Sequence, residues 1–339
     1  MASNNLRGKT VVVTGASAGV GRATVRELGR EGAHVALLAR GRAGLEAAAS
    51  EVRAEGGKTL VVPVDVSDAE AVEAAAATVE RELGPIDVWI NVAMTAVLAE
   101  VAETTAEEFR RVTEVTYLGS VHGTQAALRR MLPRDRGKIV QVGSALAYRG
   151  IPLQATYCGA KHAIEGFVQS LRTELLHRRS KVGLTIVQLP GMNTTQFSWV
   201  RARTKNHPQP VPPIFEPEVA ARAVVWAAQH NRREIWVGGP TVKTIVGQRA
   251  VPWFVGWYLA RTGFSGQQTD QPLDPGRPDY VFAPLDDDRD HGAHGEFGDK
   301  AKSRSAQLWL SLHRRTVATA AAGVASATVG TVVARRRSS

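Results

Sequence analysis

The sequence predicts an α/β fold of the Rossmann type: a doubly wound, seven-stranded parallel sheet followed by a helical, partly disordered C-terminal extension. Two observations predict the sheet. Short apolar runs of strand type alternate with helical segments of about ten to sixteen residues, the pattern of βαβ units. The first strand, Lys9-Thr10-Val11-Val12-Val13, hands over to a helix through the glycine-rich turn Thr14-Gly15-Ala16-Ser17-Ala18-Gly19-Val20-Gly21. Its glycines allow a tight turn and bring bare amides near a phosphate at a helix N-terminus. The spacing is G-x-x-x-G-x-G, and glycine-rich turns also occur without a ligand, so the turn alone leaves dinucleotide binding open.

The helix after that turn repeats apolar residues over Arg22–Glu31 and stops at Gly32. A strand His34–Ala39 follows, then helix Arg42–Glu55, strand Thr59–Val64, helix Asp68–Leu83 and strand Ile86–Asn91. A long helix from Thr105 towards Met131 precedes strand Lys138–Val142, helix Gln154–His177, strand Gly183–Leu189, helix Glu218–His230 and strand Glu234–Val237. Right-handed crossovers leave few topologies for such a chain, and its ligands belong beyond the carboxyl ends of the strands.

The 339 residues fit one large body with appendages. The net charge of +10 is concentrated at residues 300–339, which hold eight basic residues and no acid, so the body lacks the basic surface that nucleic-acid binding needs. One cysteine, Cys158, cannot form an internal disulfide, which agrees with a reducing compartment. Only Met1–Gly8 precede the first strand, so no signal-peptide core is expected and the body is expected in the cytoplasm.

The strand ends carry the chemistry. After the second strand, Ala39 stands where an NAD-selective fold places an acid, and Arg40 follows; a guanidinium there favours the 2′-phosphate of NADP(H), the plainer alternative being a solvated arginine. After the third come Asp65 and Val66, where a carboxylate can accept from an adenine amino group or simply form a turn. After the fifth, Gly143-Ser144 presents a hydroxyl, and Tyr157 and Lys161 share one face of the next helix. An ammonium beside a phenol favours its phenolate and brings it towards the working range of an acid–base group.

In these residues the chain resembles the short-chain dehydrogenases/reductases, over roughly residues 8–240. The resemblance rests on Thr14-Gly15 through Gly21, Asp65, Asn91, Ser144, Tyr157, Lys161 and Pro190-Gly191. It implies hydride transfer at nicotinamide C4, with Tyr157 as general acid or base, Lys161 as its activator and a holder of the nicotinamide ribose, and Ser144 on the substrate oxygen. For the cofactor it implicates Thr14, Gly15, Ser17, Gly19, Val20, Gly21, Arg40, Asp65, Val66, Asn91, Ala93, Tyr157, Lys161, Pro190 and Gly191, together with Met192, Asn193 and Thr194. Two departures stand out. The usual Asn-Asn-Ala-Gly is Asn91-Val92-Ala93-Met94, and the relay asparagine of Val-Asn-x-x-Gly is replaced by Thr116 in Val115-Thr116-Tyr117-Leu118-Gly119. An altered proton relay through Thr116 is therefore expected.

Domains are expected at 1–240 (catalytic), 241–270 (aromatic helix), 271–300 (linker) and 301–339 (basic Ala/Val-rich tail). Prolines 208, 210, 212 and 213 exclude a continuous helix between Gly191 and Glu218, and Phe197, Trp199 and Phe215 favour a lid over an apolar pocket there rather than a mere surface excursion. The aromatic stripe of Trp253, Phe254, Trp257 and Tyr258 suits a core or a subunit interface of a homo-oligomer more than a membrane face, or a wall of the substrate site. His291 and His294 read as solvated, and no metal site is expected. Thr316–Ala334 is uncharged between arginine clusters, which leaves membrane contact, peripheral or tail-anchored, open beside a disordered or docked tail. The expected function is an NADP(H)-dependent oxidoreductase acting on an apolar carbonyl or secondary alcohol. The rivals are a non-catalytic dinucleotide-binding sensor or scaffold, and a membrane-tethered structural protein built on the same scaffold.

Overall fold

The computed structural model describes residues 5–314 and 316. Seven parallel strands form one sheet: β1 (Thr10–Thr14), β2 (His34–Ala39), β3 (Thr59–Pro63), β4 (Ile86–Asn91), β5 (Lys138–Ser144), β6 (Gly183–Leu189) and β7 (Glu234–Trp236). Their order is β7-β6-β5-β4-β1-β2-β3, so the winding reverses between β1 and β4, where Thr14 is in register with Asn91. That reversal opens a crevice at the carboxyl edge, as the sequence predicts.

Helices cover both faces. α1 (Gly19–Arg30), α2 (Arg42–Ala54) and α8 (Pro217–Gln229) pack on one side, while α3 (Ala69–Leu83), α5 (Gly119–Met131) and α6 (Ala155–His177) pack on the other. The central strands are largely apolar because both faces are covered, and Val11, Val12, Val13 and Trp89 have no solvent exposure. Each such side chain contributes about 1.5–3 kcal/mol on burial. The long helix expected from Thr105 begins as α4 (Ala106–Val112), widens into a π-helical segment over Thr113–Leu118 and continues as α5. Extra residues in a helical turn change which side chains face the crevice, and π segments recur at functional sites for that reason.

The region beyond β6 is less open than a long loop. A single turn, α7 (Gln196–Trp199), is followed by short strand pairings of Arg201–Ala202 with Val97–Leu98, Asn206–Pro208 with Gln268–Pro272, and Ile214–Phe215 with Ala301–Lys302. The aromatic segment forms α9 (Gly238–Ala250) and α10 (Pro252–Thr262) rather than one helix, since Val251 leaves the helical conformation and Pro252 starts a new helix. Trp253, Phe254, Trp257 and Tyr258 are exposed on α10, so they are not core within this chain.

The expected linker is the largest departure. Residues 279–297 lie across the carboxyl edge of the sheet as a strap. Tyr280 N donates to Trp199 O at 3.3 Å, Gly19 N to Gly292 O at 3.3 Å, and Gly295 N to Asn193 O at 3.2 Å. His291 is half-buried rather than fully solvated, its ring lying 4.7 Å from that of Trp199, while His294 is exposed as expected. A short α11 (Ala306–Leu312) ends the described chain. Among the described residues no helix is long and apolar enough to cross a membrane, and the uncharged segment expected to touch one lies outside them, apart from Thr316.

A buried carboxylate ties this region to the body. Glu108, 1% exposed, closes a capping box with Thr105 at the start of α4 and accepts from Arg201 at 3.2 Å and from Arg203 at 2.6 and 3.0 Å. Burial alone would raise its pKa, but the Arg203, Thr105 and Arg201 hydrogen bonds outweigh that and hold it at about 2, from an ordinary 4.5. A depressed carboxylate stabilises the fold above its unfolded pKa and ceases to as pH falls through the folded one. Urea unfolding of Glu108→Gln is therefore expected to show a loss on the order of 2–3 kcal/mol at pH 7, below the ~3–5 of a fully enclosed pair, and a smaller difference from the parent chain at pH 3.

Candidate active site

The crevice between β1 and β4 continues into one cavity of about 1120 Å³ that reaches from the glycine turn to α10. That is room for a dinucleotide and a second molecule, given that single-ligand pockets are typically about 300–1,000 Å³.

The floor is built by glycines, each for its own reason. A Cβ on Gly21 would lie 1.9 Å from the Gly15 carbonyl oxygen, and one on Gly15 would lie 2.8 Å from the Ala93 Cα. Gly15 and Gly19 also have φ of +67° and +53°, values that favour glycine. The N-cap of α1 is Ala18, which offers no side-chain hydrogen bond, so no side chain of the turn covers the first amides of the helix, although Gly19 N already donates to Gly292 O of the strap. Such a floor fits a dinucleotide pyrophosphate. Beneath it Arg22, 2% exposed, donates to the Ser17 and Gly44 carbonyls and pairs with Glu51 and Asp290.

On the opposite wall, Ser144 ends β5, and its Oγ accepts from Leu146 N at 3.1 Å. Tyr157, in the first turn of α6, is half-buried and lies beside the Ser144 hydroxyl; burial pushes its pKa up and the Ser144 hydroxyl only partly offsets this. The Lys161 Nζ lies 5.5 Å from the Tyr157 ring centroid and donates to Val142 O at 2.7 Å. Its burial lowers the pKa to about 8. The ammonium is thus retained at neutral pH but close to losing its proton. The expected pairing is present in space, although desolvation makes Tyr157 a held proton donor rather than an easily ionised phenol.

Most of the expected cofactor residues line this cavity: Gly15, Ser17, Gly19, Val20, Gly21, Arg40, Asp65, Val66, Ala93, Pro190, Gly191, Met192 and Thr194. Four expected site residues stand behind its wall instead. Thr14 Oγ1 accepts from Val92 N and Ala93 N, and so fixes the loop after β4. Asn91 accepts from Trp89 Nε1 at 2.8 Å and donates to Thr124 Oγ1 at 3.1 Å and to Ser120 O, which points its amide into α5 and away from the cleft. Asn193 donates to Glu216 and accepts from Phe297 N. Thr116, expected in a proton relay, has no exposed surface; its hydroxyl donates to Thr95 O and accepts from Thr95 N, both at 3.0 Å. It braces the same loop as Thr14, from the π segment.

Asp65 makes the turn that its residue type favours: Oδ1 accepts from the Ser67 amide and hydroxyl, and Oδ2 takes Arg111. Burial opposes its ionisation, but these bonds prevail and hold its pKa below the usual value. Arg40 faces the cavity, with its guanidinium donating to Phe282 O at 3.0 Å and Tyr280 O at 2.5 Å. Both acceptors belong to the strap. Tyr280, Leu285 and Asp286 of the strap also line the cavity, none of them anticipated. The available signal was charge: the acidic run from Asp286 to Asp290 complements Arg22, Arg26, Arg40 and Arg42 around the glycine turn. Glu216, Glu218 and His294 converge to within 4.8 Å of one another, where Arg26 and Asn193 meet the carboxylates.

The family model for short chain dehydrogenases matches residues 9–205. The chain belongs to that family. A short-chain dehydrogenase of this kind is an oxidoreductase, and the family binds NAD or NADP. Among its relatives, the uncharacterized oxidoreductase YxnA of Bacillus subtilis is 28% identical over 320 residues, covering 93% of this chain and 88% of YxnA. Human 17-beta-hydroxysteroid dehydrogenase 13 is 31% identical over 234 residues, 69% of this chain and 76% of that one. A crystal structure of a metagenomic short-chain oxidoreductase in complex with NADP superposes with a TM-score of 0.59 at 27% identity, covering 69% of this chain and 98% of that one. The latter match leaves nearly a third of this dehydrogenase without a counterpart, whereas a 320-residue alignment with YxnA must include much of the extension.

Removing the Thr116 hydroxyl takes both bonds from the buried Thr95 backbone, at about 1–3 kcal/mol. Thr116→Val is expected to lower the melting temperature and to weaken dinucleotide binding by loosening residues 92–95. Thermal unfolding with and without dinucleotide would check this; a variant that melts and binds like the parent chain would assign the hydroxyl no structural part.

Proposed function

We propose that the chain transfers hydride between a nicotinamide dinucleotide and an apolar carbonyl or secondary alcohol. The observation that carries this reading is the Ser144, Tyr157 and Lys161 arrangement on the wall facing the glycine floor, inside one cavity. The bound dinucleotide would supply or accept the hydride. Ser144 Oγ and Tyr157 Oη form a pair of donors for a substrate oxygen. In the reducing direction Tyr157 gives its proton to that oxygen, and the phenolate left behind in a buried site needs the nearby Lys161 ammonium to stabilise it.

The remainder of the cavity supports an apolar substrate. Met94, Phe197, Trp199 and Phe215 approach from the nicotinamide side, and Phe254 and Tyr258 of α10 stand at the outer end. For the dinucleotide, Arg40 at the end of β2 and the likeness to a structure holding NADP support NADP(H). NAD(H) is a second reading, favoured by one observation, that the Arg40 guanidinium already donates to two strap carbonyls.

The test is a panel of hydrophobic ketones and secondary alcohols with both dinucleotides. Tyr157→Phe is expected to lose at least ~10²-fold in kcat, in line with a missing acid–base group, while still binding dinucleotide. Tight dinucleotide binding without Tyr157-dependent turnover across the panel would favour a sensor over an enzyme. With Lys161 titrating at about 8, ketone reduction by the parent chain should fall as pH rises through that value, because the ammonium is lost. Lys161→Met should be slow at every pH and lack that limb.

A further inference from the structure

At the β2 end of the cleft, the strap supplies acceptors to donors that would otherwise be free. Past β2, α2 starts at Gly41 with no side-chain cap of its own. Its first amides would ordinarily be free for an anion, yet here Arg42 N donates to Asp287 Oδ1 at 3.0 Å, Ala43 N to Asp287 O at 3.1 Å and Gly44 N to Asp286 O at 2.9 Å. Arg40 is held by the Tyr280 and Phe282 carbonyls. These are the donors that a phosphate beside β2 would require.

The group that comes nearest instead is the carboxylate of Asp286, 7% exposed and lining the cavity. It is wedged against backbone that only glycine leaves open: a Cβ on Gly41 would lie 1.9 Å from Oδ1, and one on Gly44 would lie 2.8 Å from Oδ2 and 3.0 Å from Ser17 Cβ. Asp286 thus sits among the end of β2, the first turn of α2 and the glycine turn. In a dinucleotide fold that is the place of the adenosine ribose. The Arg40 charge acts on the carboxylate from nearby, but among the described residues no side chain or amide donates a hydrogen bond to it. A buried carboxylate of this kind is complementary to a hydroxyl, which donates, and repels a phosphate, which only accepts.

We propose that Asp286 selects the dinucleotide, accepting a hydrogen bond from the adenosine-ribose 2′-hydroxyl and excluding a 2′-phosphate, so that the chain prefers NAD(H). The inference rests on the dinucleotide reading under Proposed function and settles on one of its two cofactors. Arg40 then serves as the anchor of the strap, and the discriminating acid comes from the C-terminal extension rather than from the end of β2.

Fluorescence titration of the full chain with NADH and NADPH tests this, using Asp286→Asn, which keeps the side-chain shape, and Arg40→Ala, with circular dichroism to check folding. The parent chain should bind NADH at least about tenfold tighter than NADPH. Asp286→Asn should close most of that gap by gaining NADPH affinity, and Arg40→Ala should weaken both dinucleotides in parallel by freeing the strap. A parent preference for NADPH, an unchanged ratio in Asp286→Asn, or a loss confined to NADPH in Arg40→Ala would overturn the proposal while leaving hydride transfer intact. Binding of neither dinucleotide would overturn the dinucleotide reading as well.

Discussion

The Gly15 carbonyl oxygen occupies a point 1.9 Å from where a side chain on Gly21 would begin. That approach sets the angle at which α1 leaves β1, and other close contacts follow from it. Gly15 comes up against Ala93 in the loop after β4, and Gly19 against Thr194 in the loop after β6. Three strand ends therefore meet where there is room for backbone and little else. The floor of the cleft is made of amides and carbonyls whose positions cannot drift without a clash, which is the kind of preorganisation that a pyrophosphate site needs.

Hydroxyls then hold the loop after β4 in place. Thr14 reaches it from β1 and Thr116 from the π segment, each with both capacities of a hydroxyl available and at least two hydrogen bonds made or received. The two departures from the family pattern meet here. Val92 and Met94 replace residues that would give this loop more polar or flexible character, and Thr116 secures its backbone directly. The wall that carries Tyr157 and Lys161 faces this braced loop across the cleft, so rigidity on one side accompanies buried, strongly perturbed groups on the other.

The seven strands were legible because each is a short apolar run closed by a turn residue, and the parallel order follows from the intervening helices. Ser144, Tyr157 and Lys161 were legible because spacing on a helix and position at a strand end are local properties. Asn91 shows the limit of that reasoning: its place after β4 suggested a cofactor contact, but Trp89, two residues away on the same strand face, turns its amide into the layer of helix behind. The strap was read as a linker because its prolines, glycines and aspartates lack any periodicity. Its order comes from partners some 240 residues earlier, Arg40 with Tyr280 and Phe282 and Arg42 with Asp287, and no local pattern reports such pairings. The π segment escaped for a different reason, since one widened turn hardly disturbs an apolar stripe.

The position of the strap in the chain also orders the protein's biogenesis. Polypeptides are made from the N-terminus, and domains tend to fold as they emerge. The glycine floor, the catalytic helix and all seven strands are translated before residue 279. A body that folded before the final segment arrived would have an open cleft, with the first amides of α2 bare and Arg40 unclaimed by the strap carbonyls. Small anions would then have access to a surface that the finished protein covers with the carbonyls and carboxylate of its own strap.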